Sequence, residues 1–188
     1  MKLVRSIIPL ILLLPALSIV AVAQTGNTQQ YAKDGLSFDY PAGWTIQDDS
    51  NKDGQSLSLA RADVDVSINV FVHRGRITAE KMPDAKKAFI DPYIDARMKQ
   101  FVQSGVTPKK TTDVTEIGGQ SAEGAVISAS LGGVSGAAKI YWALVGQRVV
   151  LLTYFGPDKQ QKQFVNVWDM VRNTIKIEDP KAAPKPMP

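Results

Sequence analysis

Apolar and polar residues alternate along several segments of the chain, which is the pattern of β-strands with one buried face. The alternation runs through residues 36–40 and resumes at Trp44 after the Pro-Ala-Gly of residues 41–43. Proline and glycine suit the backbone angles of a tight three-residue turn. The sequence therefore predicts that residues 35–46 form a β-hairpin, with Trp44 facing a core.

Further strand patterns follow this predicted hairpin. They cover residues 56–61, 64–72, 109–117, 120–131, 137–145 and 148–155. Their side chains alternate between the two faces, so most of these strands have one buried side. Residues 148–155 read RVVLLTYF and are apolar on both faces, which is typical of a central strand covered on both sides.

A helix is predicted over residues 83–102, because apolar side chains recur there at helical spacing. The stripe consists of Ile90, Ile94, Met98 and Phe101. An Asp-Pro pair at residues 91–92 interrupts the pattern, and proline favours the first helical position. The main helix is therefore expected to begin at residue 92, with residue 91 as its N-cap and a short kinked turn before it.

A second helix is predicted from about Pro157, where proline again lies near a first turn. Its apolar stripe consists of Phe164, Trp168, Val171 and Ile175. The order of elements is then strands, helix, strands and helix, without an internal repeat. This order indicates one α+β domain, an antiparallel β-sheet with helices packed on it.

The first 23 residues have the features of a secretory signal peptide. A basic start is followed by an apolar run, and Ala21-Val22-Ala23 matches a small-x-small cleavage site. Cleavage is predicted before Gln24, which places the protein in the periplasm or outside the cell. The alternative is an uncleaved membrane anchor, although the apolar run of about 14 residues is shorter than the roughly 20 needed to span a bilayer.

The remaining chain divides into three predicted parts. Residues 24–30 form a short extension, residues 31–179 form the folded domain, and residues 180–188 form a disordered tail rich in Pro and Lys. No segment of the mature chain has the composition of a transmembrane helix.

Composition narrows the possible chemistry. The chain contains no Cys and one His, so thiol catalysis, zinc–cysteine sites and iron–sulfur clusters are not expected. The net charge of +4 falls to +2 when Lys2 and Arg5 leave with the signal peptide. Basic residues do not concentrate in one run, so nucleic-acid binding is not expected.

The single histidine, His73, lies in the sequence HRGR at a predicted strand end. The two neighbouring arginines suggest an anion-binding loop, whereas a solvated strand end needs no ligand. The sequence favours the solvated strand end. No G-x-S-x-G motif accompanies this histidine, so a Ser-His-Asp triad is not indicated.

Residues 49–54, DSNKDG, match the first half of an EF-hand calcium loop. The position that should supply a bidentate Glu is Ala60, and helices are not predicted on either side. A polar hairpin tip explains the same residues. The sequence therefore predicts that this loop does not bind calcium tightly, and it assigns no metal, cofactor or catalytic residues.

Glycoside hydrolysis by paired carboxylates remains an open alternative, because spacing alone does not exclude it. Glu123 is the one acidic residue in an apolar setting.

Residues 35–44, GLSFDYPAGW, resemble the opening F-x-x-P-x-x-W motif of the PsbP-like family. This family includes the extrinsic PsbP subunit of photosystem II and bacterial DcrB-type envelope proteins. Residues 141–155 and the helix carrying Phe164 and Trp168 are similar to the family's last hairpin and closing helix. The resemblance implies a PsbP-like α/β/α sandwich.

Members of this family are mostly not enzymes, so the resemblance implies a non-catalytic accessory domain. Such a domain would bind a protein partner or a small ligand in the cell envelope, and we expect it to be a monomer without a cofactor. The alternatives are an envelope hydrolase that uses carboxylates and a structural or stress-related protein without a specific ligand. Clustered carboxylates in a deep cleft would favour the hydrolase, and an exposed apolar patch near Trp44 would favour binding.

Overall fold

The computed structural model describes residues 28–178 of the 188-residue chain. The strands are β1 (Thr28–Lys33), β2 (Leu36–Pro41), β3 (Thr45–Asp48), β4 (Gly54–Ala60), β5 (Ser67–His73), β6 (Lys109–Ile117), β7 (Gln120–Leu131), β8 (Val134–Val145), β9 (Arg148–Pro157) and β10 (Lys176–Ile177). The helices are α1 (Met82–Ala85), α2 (Asp91–Gln103), α3 (Asp158–Gln163) and α4 (Val165–Thr174). A 3₁₀ turn, Ala79–Lys81, precedes α1, and a π-helical segment, Lys86–Ile90, joins α1 to α2.

The strands form two antiparallel sheets. Seven strands pair in the order β3-β4-β5-β9-β8-β7-β6, and three pair in the order β1-β2-β10. Strand β9 is the middle strand of the larger sheet, and every residue from Arg148 to Tyr154 is buried. The prediction of a central strand covered on both sides is therefore confirmed.

Each face of the seven-stranded sheet carries its own apolar core. One core lies beneath α4 and the small sheet, and there Trp168 stacks on Tyr154 with ring centroids 5.2 Å apart. The other lies beneath α1, the π-helical segment and α2, where Ile90 and Ile94 are buried against the sheet. The predicted α+β domain with helices packed on an antiparallel sheet is confirmed, as an α/β/α sandwich.

The predicted opening hairpin is wrong. Strand β2 pairs with β1 and β10 in the small sheet, whereas β3 pairs with β4 in the large one. The turn itself exists, since the Trp44 amide donates a hydrogen bond to the Pro41 carbonyl at 3.4 Å. Alternation reports only which side of a strand is buried, and both strands bury that side in the same core. Trp44 is 4% exposed and meets the Phe164 ring edge-on at 6.0 Å, so its predicted place in the core is confirmed.

The start of the long helix also differs from the prediction. Asp91 has helical backbone angles and does not cap a helix, because the helical path continues from the π-helical segment into α2. Proline lacks an N–H, and its ring presses on the carbonyl four residues earlier in a regular helix. The wider π turn immediately before Pro92 relieves this conflict without ending the helix.

The C-terminal helix is divided into α3 and α4 at Phe164, although its predicted apolar stripe is buried as expected. Strands β1 and β10 lack a predicted counterpart, and β1 begins inside the segment predicted to be an extension. Within the described part of the chain, no helix is long and apolar enough to cross a bilayer. The predicted signal peptide (residues 1–23) and tail (residues 180–188) lie outside the described residues.

Candidate functional site: an apolar groove beside α2

The seven-stranded sheet is longer than the helix that covers it. Strands β7 and β8 have 12 residues each, and α2 has 13. At about 3.3 Å per strand residue and 1.5 Å per helical residue, the strands reach roughly 40 Å and the helix roughly 20 Å. Leu131 and Val134 at the tip of the β7–β8 hairpin and Phe155 near the end of β9 are exposed, so α2 leaves this end of the sheet uncovered.

Large apolar side chains lie on this uncovered part of the sheet. Leu131 is 61% exposed, Val134 is 59% exposed and Phe155 is 43% exposed. Leu131 and Val134 are cross-strand partners on either side of the hairpin turn. From the helix, Phe101 approaches Phe155 with ring centroids 6.2 Å apart. Together these residues line a groove of about 680 Å³ between the C-terminal half of α2 and the sheet.

Small residues keep the groove open along its floor. Ala129 and Gly136 are paired across β7 and β8, two residues nearer the core along each strand than Leu131 and Val134. A Cβ atom at Gly136 would lie 2.9 Å from the Gly156 carbonyl oxygen, so a larger residue does not fit there without a backbone shift. We call the space bounded by α2, the β7–β8 tip and the end of β9 the α2 groove.

Arg97 provides a positive charge on the wall of the α2 groove. Its Nη2 donates a hydrogen bond to the Tyr93 hydroxyl at 3.0 Å, and its Nη1 donates one to Gln100 Oε1 at 2.9 Å. The guanidinium also lies 5.0 Å from the centre of the Tyr93 ring. Among residues 28–178, no carboxylate lies within ion-pair distance of this guanidinium. Neutral groups thus hold the side chain in place while its charge stays uncompensated.

One carboxylate, that of Asp65, is found among the described residues that line the same groove. Gln160 holds this residue from two sides. The Asp65 amide donates to Gln160 Oε1 at 2.7 Å, and Gln160 Nε2 donates to the Asp65 carboxylate at 3.2 Å. Asp65 therefore belongs to the packing between the loop before β5 and the start of α3.

A second, smaller cavity shares Arg97 with the α2 groove. It has a volume of about 210 Å³ and a mixed lining, in which Ser56, Asn69 and Tyr93 are polar and Val70, Phe71, Phe89 and Leu151 are apolar. Arg97 lines both cavities and lies where they meet. Arg97, with Tyr93 and Gln100, thus forms a polar end of an otherwise largely apolar surface beside α2, which is an arrangement suited to an amphipathic molecule.

His73 lies at the end of β5, as predicted, and is half-buried there. Its ring stacks on Phe89 with centroids 5.2 Å apart and planes 6° apart, and its Nδ1 lies 3.1 Å from the Gly75 amide nitrogen. Arg74 next to it donates to the Asn51 carbonyl at 2.9 Å and to the Asp34 carboxylate at 2.9 Å. The contacts of this segment are therefore structural.

The polar loop of residues 49–54 is closed by its own hydrogen bonds. Asn51 Oδ1 accepts from the amides of Asp53 at 2.8 Å and Gly54 at 3.1 Å, and the Asp49 carboxylate accepts from Gln47 Nε2. These oxygen atoms stabilise a turn between β3 and β4, which is the polar hairpin tip that the sequence offered as the alternative. The absence of tight calcium binding stays a prediction.

Three acidic residues, Asp91, Asp113 and Glu123, line another cavity, of about 370 Å³. Asp113 pairs with Gly124 rather than with Glu123, so the Asp113 and Glu123 side chains lie on opposite faces of the sheet. Asp91 forms an ion pair with Lys86, and Asp113 accepts a hydrogen bond from the Tyr141 hydroxyl at 2.7 Å. That hydrogen bond lowers the pKa of Asp113, whereas a carboxylic acid that donates a proton in glycoside hydrolysis needs a raised pKa. In residues 28–178, no three acidic or histidine side chains converge on a possible metal site.

Sequence reasoning missed the α2 groove, although part of its signal was visible. Leu131 and Val134 flank the Gly-Gly turn at residues 132–133, where polar residues are usual. Two large apolar side chains at a hairpin tip are a signal of a binding surface. Arg97 carries no comparable signal, since its role depends on strands that are distant in sequence. The exposed apolar patch lies away from Trp44, whereas the sequence analysis named a patch near Trp44 as the feature that would favour binding.

Comparison with known proteins identifies the architecture. No family model and no curated protein matches the chain. Among solved structures, the solution structure of cyanobacterial PsbP from Synechocystis matches with a TM-score of 0.53 and 14% identity, over 87% of this chain and 99% of that one. The chain has a PsbP-like fold. The resemblance found in the sequence is confirmed at the level of the fold.

Two further structures are similar to this PsbP-like chain. A crystal structure from Bacteroides thetaiotaomicron matches with a TM-score of 0.52 and 12% identity, over 80% of this chain and 48% of that one. LpqN, described as involved in cell envelope biogenesis of Mycobacterium tuberculosis, matches with a TM-score of 0.40 and 14% identity, over 81% and 92%. A score of 0.40 carries no argument about this protein. At such low identities the comparisons establish the fold, and function has to be argued from the site.

Proposed function

We propose that this protein is an exported, non-catalytic accessory domain that binds a small amphipathic molecule in the α2 groove. The observation that carries this proposal is the exposure of Leu131, Val134 and Phe155 in one concave, apolar space. A volume of about 680 Å³ lies within the roughly 300–1,000 Å³ that is usual for small-molecule sites. Contiguous exposed apolar surface in a monomeric domain commonly marks a binding site.

Two further observations support this proposal. The N-terminal sequence has the features of an export signal, which agrees with a role in the periplasm or outside the cell. The α2 groove combines one carboxylate, already held by Gln160, with a largely apolar wall. Binding needs only such a surface, whereas hydrolysis by carboxylates needs two of them placed about a scissile bond.

A small ligand suits the α2 groove better than a protein partner does. A stable protein interface buries about 800 Å² on each side and requires a broad, complementary surface. The exposed apolar residues of the groove, Leu131, Val134 and Phe155, lie at one end of one sheet face. If the experiment below finds no ligand binding, a partner protein that binds elsewhere becomes the better explanation.

The test is a titration of the exported protein with N-phenyl-1-naphthylamine, a neutral probe whose fluorescence rises in apolar surroundings. We expect saturable binding at one site. Leu131→Lys places a charge in the α2 groove and should weaken probe binding about tenfold, with little effect on stability because the side chain is exposed. Val165→Lys is the matched control, since Val165 is an exposed apolar residue on α4, on the opposite face of the sheet.

The proposal requires the two variants to differ. If neither substitution changes probe binding, or if both change it equally, the site is not the α2 groove. If the unmodified protein shows no saturable binding of the probe, the proposed function is wrong.

A further inference from the structure

We infer that the ligand of the α2 groove is an alkyl monocarboxylate of the fatty-acid type, with its carboxylate on Arg97 and its chain along Leu131 and Phe155. This inference rests on the proposed function and adds the chemical class of the ligand and its orientation. It depends on the position, the bonding and the uncompensated charge of Arg97.

The Arg97 guanidinium is held in place before any ligand binds. Hydrogen bonds to Tyr93 and Gln100 use two of its five N–H donors, and the Tyr93 ring supports the charge from one side. A guanidinium presents its donors in a planar fork that matches a carboxylate. Because its described partners are all neutral, an anionic ligand would not have to displace an existing ion pair.

The surroundings of Arg97 define the two ends of the ligand. On one side lies the smaller cavity, where Ser56 and Asn69 offer polar groups among apolar side chains, and on the other lies the apolar groove that reaches Leu131. A molecule with a polar head and an apolar chain can satisfy both sides when its head lies at Arg97. The reverse orientation would place a charged group against exposed leucine, valine and phenylalanine side chains.

Asp65 limits the charge of the ligand. Asp65 lines the α2 groove and its carboxylate is held by Gln160, so a second anionic group near it would be repelled. A molecule with a single acidic group therefore suits the groove better than a dicarboxylate.

The test compares decanoate with its neutral glycerol monoester, each as a competitor of N-phenyl-1-naphthylamine on the exported protein. We expect decanoate to bind more tightly than the ester, because only decanoate carries a charge for Arg97. Arg97→Gln should weaken decanoate binding roughly tenfold and change ester binding less than about twofold. Arg97→Lys, which keeps the charge without the fork, should weaken decanoate binding by less than Arg97→Gln does.

Lys99→Gln is the control for net charge, since Lys99 is exposed on the same helix and does not line either cavity. It should leave the binding of both competitors unchanged.

Equal binding of decanoate and ester, with no effect of Arg97→Gln, would overturn the assignment of the carboxylate and leave the α2 groove as a site for neutral molecules. If the Arg97→Gln variant loses the binding of both decanoate and the ester, the assignment of the carboxylate is also overturned, because the substitution would then act through the shape of the groove. If neither competitor displaces the probe from the unmodified protein, the result counts against the proposed function itself.

Discussion

Tyr93 and Arg97 lie one turn apart on α2, and the tyrosine hydroxyl accepts a hydrogen bond from the guanidinium at 3.0 Å. The same hydroxyl lies 2.9 Å from the buried hydroxyl of Thr153 in the central strand β9. The helix and the sheet are thus joined through a chain of polar groups at Arg97, the residue that lines both the smaller cavity and the α2 groove. The position of the positive charge is fixed by the sheet core as well as by the helix.

Removing the Tyr93 hydroxyl should therefore affect both stability and binding. We expect Tyr93→Phe to lower the free energy of unfolding by about 1 kcal/mol, because the buried Thr153 hydroxyl loses its partner. The substitution should also weaken decanoate binding, because Arg97 loses one of its two anchors. Urea denaturation measures the first effect. Tyr40→Phe is the control, since the half-buried Tyr40 packs against the core beneath α4. Equal losses of stability and of decanoate binding in both variants would show that the Tyr93 hydroxyl has no specific role.

Trp44 should contribute to stability and leave ligand binding unchanged. It is buried against Phe164 in the core beneath α4, on the opposite face of the sheet from the α2 groove. Trp44→Ala should lower the free energy of unfolding by about 3–5 kcal/mol, measured by chemical denaturation. A variant that unfolds like the parent but loses probe binding would show that Trp44 belongs to a binding site.

Stability should fall in alkaline solution because of buried tyrosines. Burial, followed by the nearby Asp169 carboxylate, raises the pKa of Tyr154, and burial with the hydrogen bond to Asp113 raises the pKa of Tyr141. A raised pKa in the folded state means that the stabilising contribution is complete below the unfolded pKa of about 10 and is lost as the pH rises above it. The melting temperature should therefore decrease from about pH 10 upwards.

Tyr154→Phe should reduce this alkaline decrease, although the variant should be less stable at neutral pH because the Tyr154 hydroxyl donates to the Gln161 carbonyl at 2.8 Å. Differential scanning fluorimetry across the alkaline range measures both effects. An unchanged alkaline slope in this variant would show that Tyr154 does not contribute to it.

Most strands could be predicted because alternation depends on burial, which is a local property of each face. The pairing of β2 and β3 could not be predicted in this way, because alternation carries no information about which strand is the neighbour. A Pro-Ala-Gly turn between two alternating segments usually joins a hairpin. Here the chain instead passes at Trp44 from the small sheet to the large one.

The candidate site was less predictable than the fold. Phe101 belongs to a recognisable apolar stripe, but its contact with Phe155 joins elements more than 50 residues apart. The α2 groove lies where α2 leaves one end of the sheet uncovered, and a local sequence pattern does not show where a helix lies on strands that are distant in sequence. The π-helical segment at Lys86–Ile90 was likewise unexpected, since the sequence marks only the proline that requires an adjustment.

The predicted signal peptide fixes where the exported chain should begin. Because Ala21-Val22-Ala23 matches a signal-peptidase site, the exported chain should begin at Gln24. Intact-mass spectrometry of protein recovered from the periplasm or the medium measures this directly. Retention of residues 1–23 would contradict the prediction and favour a membrane anchor.

The central claim is that the α2 groove is the binding site of this domain. The most direct measurement is a titration of ¹⁵N-labelled exported protein with decanoate, followed by amide chemical shifts. We predict saturating shifts concentrated at Phe101, Leu131, Val134 and Phe155, with small changes elsewhere. Saturating shifts concentrated instead around Trp44 and α4, or an absence of saturating shifts, would contradict the claim.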